Sequence, residues 1–279
     1  MNKNDLKIVY FGTPNFAVPA LKLLIEGGYN ISAVFTGQGP ISTIAQEHKI
    51  KIFKPNSLKK DEQAFEEFKS LNPDLCIVAA YGKIIPQKFL DIPRHGFINI
   101  HPSLLPKYRG PSPIQTSILN GDKETGVSVM VIDAEVDHGP LLGQITHNLQ
   151  PKIYYNEAEK ELAEVGAKLL LETLPKYLNS ELQPKEQDHE QATFTKMFER
   201  GDGKINWSES GDKIYAQIRA LNPEPGTWTV WKNKVINIKK AELDGDKIKI
   251  KTIQMEGKKE MPFEEFLRGH SDFDTSQLK

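Results

Sequence analysis

Asn99, His101 and Asp137 are residue types that, converging on one crevice, would suit acyl transfer onto an amine. Asn99 and His101 lie two apart in the run Gly96-Phe97-Ile98-Asn99-Ile100-His101-Pro102. Alternation along an extended strand turns both to one face, and Pro102, with no amide donor, ends the pairing. A polar pair on an apolar strand is costly to bury alone, so neighbouring groups must satisfy it or a ligand must use it. A second strand, expected over 127–133, leads into Asp133-Ala134-Glu135-Val136-Asp137-His138-Gly139 and supplies a carboxylate. The amide of Asn99 can stabilise the oxyanion of a tetrahedral carbonyl adduct. The imidazole of His101 can do the same or shuttle a proton. Asp137 can accept the proton that an attacking amine loses. None of these steps requires a metal, and the seven histidines show no zinc-ligand spacing, so no metal is expected.

The elements that must position these groups follow from apolar runs and turn signals. Strands are expected at 7–11, 31–35, 75–80, 96–100 and 127–133, and helices at 16–26, 41–48, 61–70 and 156–178. Continuous apolar strands separated by helices imply a doubly wound α/β fold with a mostly parallel, Rossmann-like sheet covered on both faces. Residues 179–202 are polar and hold Pro184 and Gly201, the texture of a surface linker. Beyond it a helix over 210–220 precedes short alternating strands such as 228–231 and 247–252, which suggests a smaller β-rich, barrel-like domain. The expected organisation is therefore a catalytic domain over 1–183, a linker over 184–203 and a C-terminal domain over 204–279.

Other chemistries are disfavoured. The turn after the first strand reads GTPNFA, without the second glycine of G-x-G-x-x-G, and Pro14 removes an amide that a pyrophosphate would need. No Walker-type G-x-x-x-x-G-K-[ST] occurs. The chain of 279 residues is 38% hydrophobic and 26% charged, ordinary for a soluble globular protein. Its one cysteine, Cys76, lies in an apolar run and is expected to be a buried, inert thiol. The N-terminal apolar stretch is too short for a signal peptide and no run approaches a membrane span, so a cytoplasmic, membrane-free protein is expected. The net charge of −1 means that any nucleic-acid contact must come from a local patch. Lys232 to Lys259 offers one, with nine lysines against four acids.

The segment N-x-H-P-S-L-L-P (Asn99, His101 to Pro106), followed by the D-x-G turn Asp137-His138-Gly139, resembles the folate-dependent formyltransferases. The resemblance implies a formyl group donated by 10-formyltetrahydrofolate, with Asn99, His101 and Asp137 catalytic. It places the folate against Ser103, Leu104, Leu105 and Pro106, and its pterin near Val78, Tyr81, Gly82, Ile84 and Asp133. Within that family the chain is most similar to members that formylate initiator methionyl-tRNA. IVYFGTPNFAVPALKLL at 8–24, GKINW at 203–207, IRALNPEPG at 218–226 and the closing segments 255–261 and 266–269 carry this likeness. A monomer that contacts tRNA through its C-terminal lysines is implied. The chain departs from the family after the second strand, where a basic P-D-x-P-x-G-R-G loop is replaced by Gly37-Gln38-Gly39-Pro40, with no Arg or Lys until Lys49. The C-terminal domain is also shortened around Leu243 to Asp246. The missing loop favours an amino-sugar nucleotide or another small amine as the alternative acceptor. A non-catalytic RNA- or folate-binding protein is the alternative from another class.

Overall fold

The computed structural model describes Lys3 and residues 5–273, and the chain divides into two compact units. The first unit comprises residues 1–111, 124–148 and 159–195, and the second 112–123, 149–158 and 196–279. The segment expected as a linker over 184–203 is thus shared between them at Thr195/Lys196.

The first unit is built on β1 (Lys7–Gly12), β2 (Asn30–Phe35), β3 (Lys51–Phe53), β4 (Leu75–Ala79), β5 (Phe97–His101), β6 (Glu124–Val131) and β7 (Leu141–Asn148), in the order β3-β2-β1-β4-β5-β6-β7. The first five are parallel, while β6 and β7 are antiparallel to their neighbours. Strand order reverses beside β1, which makes the carboxyl ends of β1, β4 and β5 the natural crevice of a doubly wound sheet. Helices α1 (Val18–Glu26), α2 (Pro40–Glu47), α3 (Glu62–Leu71) and the short α4 (Gln87–Leu90) connect the parallel strands. Asp61 caps α3 by accepting from the Ala64 amide at 2.9 Å.

One sheet face carries an aromatic core. Phe11 stacks on Phe35 and Phe35 on Phe53, each at 4.7 Å between ring centroids, and Phe68, Phe89 and Phe97 close the cluster. Each buried ring contributes on the order of 1.5–3 kcal/mol through removal from water. Phe97, Asn99 and His101 follow one another at every second residue of β5, so the site lies at the polar end of the row that begins in this core. The opposite face receives the long helix α6 (Tyr155–Leu178), whose Gly166 lies so close to Ile100 and Val127 that a Cβ there would meet them at 2.7 and 2.9 Å.

The second unit gathers α5 (Pro113–Leu119), α7 (Gly211–Leu221), α8 (Phe263–Gly269) and an antiparallel sheet of β8 (Thr227–Trp231), β9 (Lys234–Asp244), β10 (Lys247–Met255) and β11 (Glu260–Pro262). The barrel-like domain read from the sequence is this four-stranded sheet, ordered β11-β10-β9-β8. Ser210 caps α7, and Ile214 and Ile218 of that helix pack with Ile236, Ile238 and Ile253. Among the described residues no helix is long and apolar enough to cross a membrane.

Candidate active site

β5 delivers Asn99 and His101 between two strands. Asn99 lies in register with Val78 on β4 and Met130 on β6, and His101 with Ser128. The His101 ring is buried. Its Nε2 is 2.9 Å from the Tyr108 carbonyl, which can only accept, so Nε2 carries a proton. Nδ1 is thereby turned to the Asp137 carboxylate, at 3.6 Å from Oδ2. The Asn99 amide nitrogen donates to the other oxygen, Oδ1, at 3.4 Å. The three side chains that the sequence singled out therefore meet.

Asp137 reaches this position from a turn between β6 and β7. Its own backbone is left-handed, with φ 49°, a conformation that Asp tolerates better than most residues. The Gly110 amide donates to Oδ2 at 2.8 Å. Gly110 has φ 106°, and a Cβ there would lie 2.9 Å from the Thr195 hydroxyl, so two demands select glycine. Gly139 is required more strictly, because a Cβ would fall 2.0 Å from the Val131 carbonyl oxygen. Asp133 shapes the same turn by accepting from the Glu135 amide at 3.0 Å and pairing with His138 Nδ1 at 2.6 Å.

The Ser103 to Pro106 loop is anchored from within. Ser128 Oγ donates to the Ser103 carbonyl at 2.6 Å and accepts from the Leu105 amide at 3.0 Å and from Gln144 at 2.9 Å. Ser103 and Leu105 are buried, while Leu104 and Pro106 are half-buried. Of the residues expected around the pterin, Val78 and Tyr81 place their side chains in the aromatic core, and Tyr81 meets Phe11 edge-on at 5.3 Å. Burial pushes the Tyr81 phenol well above its ordinary range, and its hydroxyl has no hydrogen-bond partner among the described residues. Gly82 and Ile84 lie on the loop after β4, where Ile84 is 87% exposed. Val136, in the Asp137 turn, is 63% exposed. These are apolar surfaces bare enough for a heterocycle to cover.

Several contributors were not read from the sequence. Gln187, in the segment expected as a linker, is 5% exposed and donates its amide to the carbonyls of Asp137 (2.9 Å) and Gly139 (2.7 Å). Its oxygen accepts from Arg109 Nε (3.2 Å) and one terminal nitrogen (2.7 Å). The same Arg109 nitrogen lies 2.8 Å from His189 Nδ1, and the His189 ring stacks on His138 at 3.9 Å. Residues 193–195 run beside Arg109 through backbone bonds of 2.8 and 2.7 Å. Gln187 gave no signal, because the carbonyls it donates to and the arginine it accepts from are all remote in sequence.

Where the family's basic loop would leave β2, the chain turns directly into α2. The Gly37 amide donates to Thr13 Oγ1 at 3.1 Å, and Ser42 Oγ donates to the Gly37 carbonyl at 3.0 Å. On the second unit, among the described residues, four of the nine lysines over 232–259 are ion-paired: Lys249 with Asp244 (2.6 Å), Lys251 with Glu242 (2.9 Å), Lys239 with Glu260 (3.6 Å), and Lys232 with Asp272.

Residues 7–174 match the formyl transferase family and residues 198–248 its C-terminal domain, and the chain belongs to this family. At the level of individual proteins, it is 37% identical to the methionyl-tRNA formyltransferase of Halalkalibacterium halodurans, over 95% of each chain. That alignment spans 301 positions against the 279 residues of this chain, so the relative carries segments that are absent here. The fold is similar to a methionyl-tRNA formyltransferase from Clostridium thermocellum, with TM-score 0.64 and 21% identity over 90% of this chain and 98% of that one. It is also similar to WlaRD, a sugar 3N-formyl transferase solved in the presence of dTDP and 5-N-formyl-THF, with TM-score 0.67 and 20% identity over 92% and 100%.

Proposed function

We propose that this chain transfers the formyl group of 10-formyltetrahydrofolate to the α-amine of initiator methionyl-tRNA. The observation that carries the reading is the meeting of Asn99, His101 and Asp137 at the carboxyl end of β5, within hydrogen-bonding or ion-pair distance of a common carboxylate. The full-length likeness to proteins named for this acceptor supports the choice of substrate.

In the proposed step the amine nitrogen bonds to the formyl carbon, and the bond from that carbon to the donor nitrogen breaks. Asn99, which uses one amide hydrogen toward Asp137, directs the other at the carbonyl oxygen as negative charge builds there. His101 is held through Nε2 by the Tyr108 carbonyl, and its Nδ1 is the edge available for proton exchange. Asp137 accepts the proton that the attacking amine loses and passes it to the facing Nδ1 of His101, which delivers it to the departing nitrogen. The Ser103 to Pro106 loop, with Leu104 and Pro106 half-exposed, and the exposed Ile84 and Val136 form the proposed folate wall, beside Val78, Tyr81, Gly82 and Asp133.

Residues 1–183 are assigned catalysis and residues 204–279 the RNA contact, with lysines meeting phosphates. A cytoplasmic monomer is part of the same proposal, and the lone free thiol of Cys76 fits a reducing compartment. The compact turn at Gly37 to Pro40 favours one rival, a nucleotide-linked amino sugar as acceptor. Incubation with 10-formyltetrahydrofolate and either charged initiator tRNA or a dTDP-amino sugar separates them. Formyl-methionine on the tRNA is expected, and formylation of the sugar alone would refute the acceptor.

A further inference from the structure

We infer that Gln187 is a positioning residue for the catalytic carboxylate, a role that rests on the reading of Asp137 as the group that takes the amine's proton. Asp137 occupies a left-handed backbone conformation, and such residues keep that conformation only when their surroundings over-determine it. The surroundings here converge on one side chain. The Gln187 amide is nine-tenths buried and spends both hydrogens on the turn, one on the Asp137 carbonyl and one on the Gly139 carbonyl. With its nitrogen committed to two acceptors, its oxygen must face donors, and Arg109 supplies two. The residue after Arg109 is Gly110, whose amide holds the carboxylate itself.

Backbone and side chain of Asp137 are therefore tied to one Gln187–Arg109 unit, the backbone through Gln187 and the carboxylate through the peptide that follows Arg109. His189 braces the unit from the far side. Arginine can only donate, so Nδ1 of His189 accepts from it, and the His189 ring lies within 3° of parallel to His138, between Asp137 and Gly139. Without the two donors of Gln187, the buried Gly139 carbonyl and the part-buried Asp137 carbonyl lose these partners and the turn is free to rotate about Asp137. The carboxylate then leaves the 3.6 Å line to His101 and the 3.4 Å line to Asn99.

A displacement of about 1 Å in a reacting group costs on the order of 100-fold in rate. The test is formyl transfer by the full chain under single-turnover conditions, with KM for donor and acceptor measured alongside. Gln187→Met should lower the rate about 30-fold or more while both KM values stay within about twofold, because the turn's groups act on the transition state. In an Asp137→Asn background the same change should alter the rate by less than about threefold, since the group it positions is already disabled. Gln187→Glu keeps the size and the acceptor for Arg109 but has no donors. It should lose rate as Gln187→Met does, and because its contact to Arg109 is kept it decides the matter if Gln187→Met fails to fold. A wild-type rate in either Gln187 variant, or a full loss repeated on top of Asp137→Asn, overturns the positioning role alone. A wild-type rate in Asp137→Asn by itself overturns the catalytic reading as well.

Discussion

At the scale of single residues, the account depends on which atoms face which. His101 Nε2 is occupied by a backbone carbonyl, so only Nδ1 is turned to chemistry, and Asp137 has both oxygens engaged by donors that hold it in place. This arrangement separates the roles of its members. Asn99→Ala removes the donor proposed to stabilise charge on the carbonyl oxygen, and turnover should fall by about 100- to 1000-fold. His101→Ala removes the proposed proton exchange at the same centre and should cost a comparable factor. Both variants should unfold at temperatures near that of the wild type, as followed by circular dichroism. The three residues were legible because they form a dense polar pattern in an apolar strand and a D-x-G turn. Gln187 was not legible, because a glutamine in a polar stretch looks the same whether it faces water or two carbonyls.

At the scale of elements, the site is a strand end and two loops fastened to β6. Ser128 fastens one of them, with one hydroxyl serving the Ser103 carbonyl, the Leu105 amide and the Gln144 side chain. Ser128→Ala leaves the buried Leu105 amide without its partner, which costs about 1–3 kcal/mol. A matching fall in denaturation midpoint, with a smaller loss of rate than His101→Ala, is expected; unchanged stability would contradict the role of this hydroxyl. The elements themselves were legible where the pattern was long: β1, β2, β4, β5 and β6, with α1, α2, α3, α6 and α7, all lie close to their expected ranges. β3 escaped because three residues carry no period, and α4 and α5 because four and seven residues give little helical repeat. β7 escaped because it is an edge strand with one buried residue and Gly143 inside it. Gly143 is there because a Cβ would press on Thr173 of α6 at 2.9 Å, a reason visible only in three dimensions.

At the scale of the whole molecule, the question is how a chain of net charge −1 takes hold of a polyanion. The proposed answer is local, and the ion pairs refine it. Lys239, Lys249 and Lys251 face carboxylates and offer less field to a phosphate than their number suggests. Lys240, Lys258 and Lys259 are exposed and have no ion-pair partner among the described residues. Neutralising these three to Gln should weaken tRNA binding and reduce the slope of log K against log salt by about 2 to 3. Neutralising Lys249 and Lys251 should change it less, and equal slopes in both variants would contradict this assignment. The central claim is that three side chains at the end of β5 carry formyl transfer to charged initiator tRNA. It is tested most directly by the rate of formyl-methionyl-tRNA formation from 10-formyltetrahydrofolate, compared between the intact chain and Asp137→Asn. Formation by the intact chain and a fall of at least about 100-fold in the variant is the result expected; formation at equal rates, or none by either protein, would contradict it.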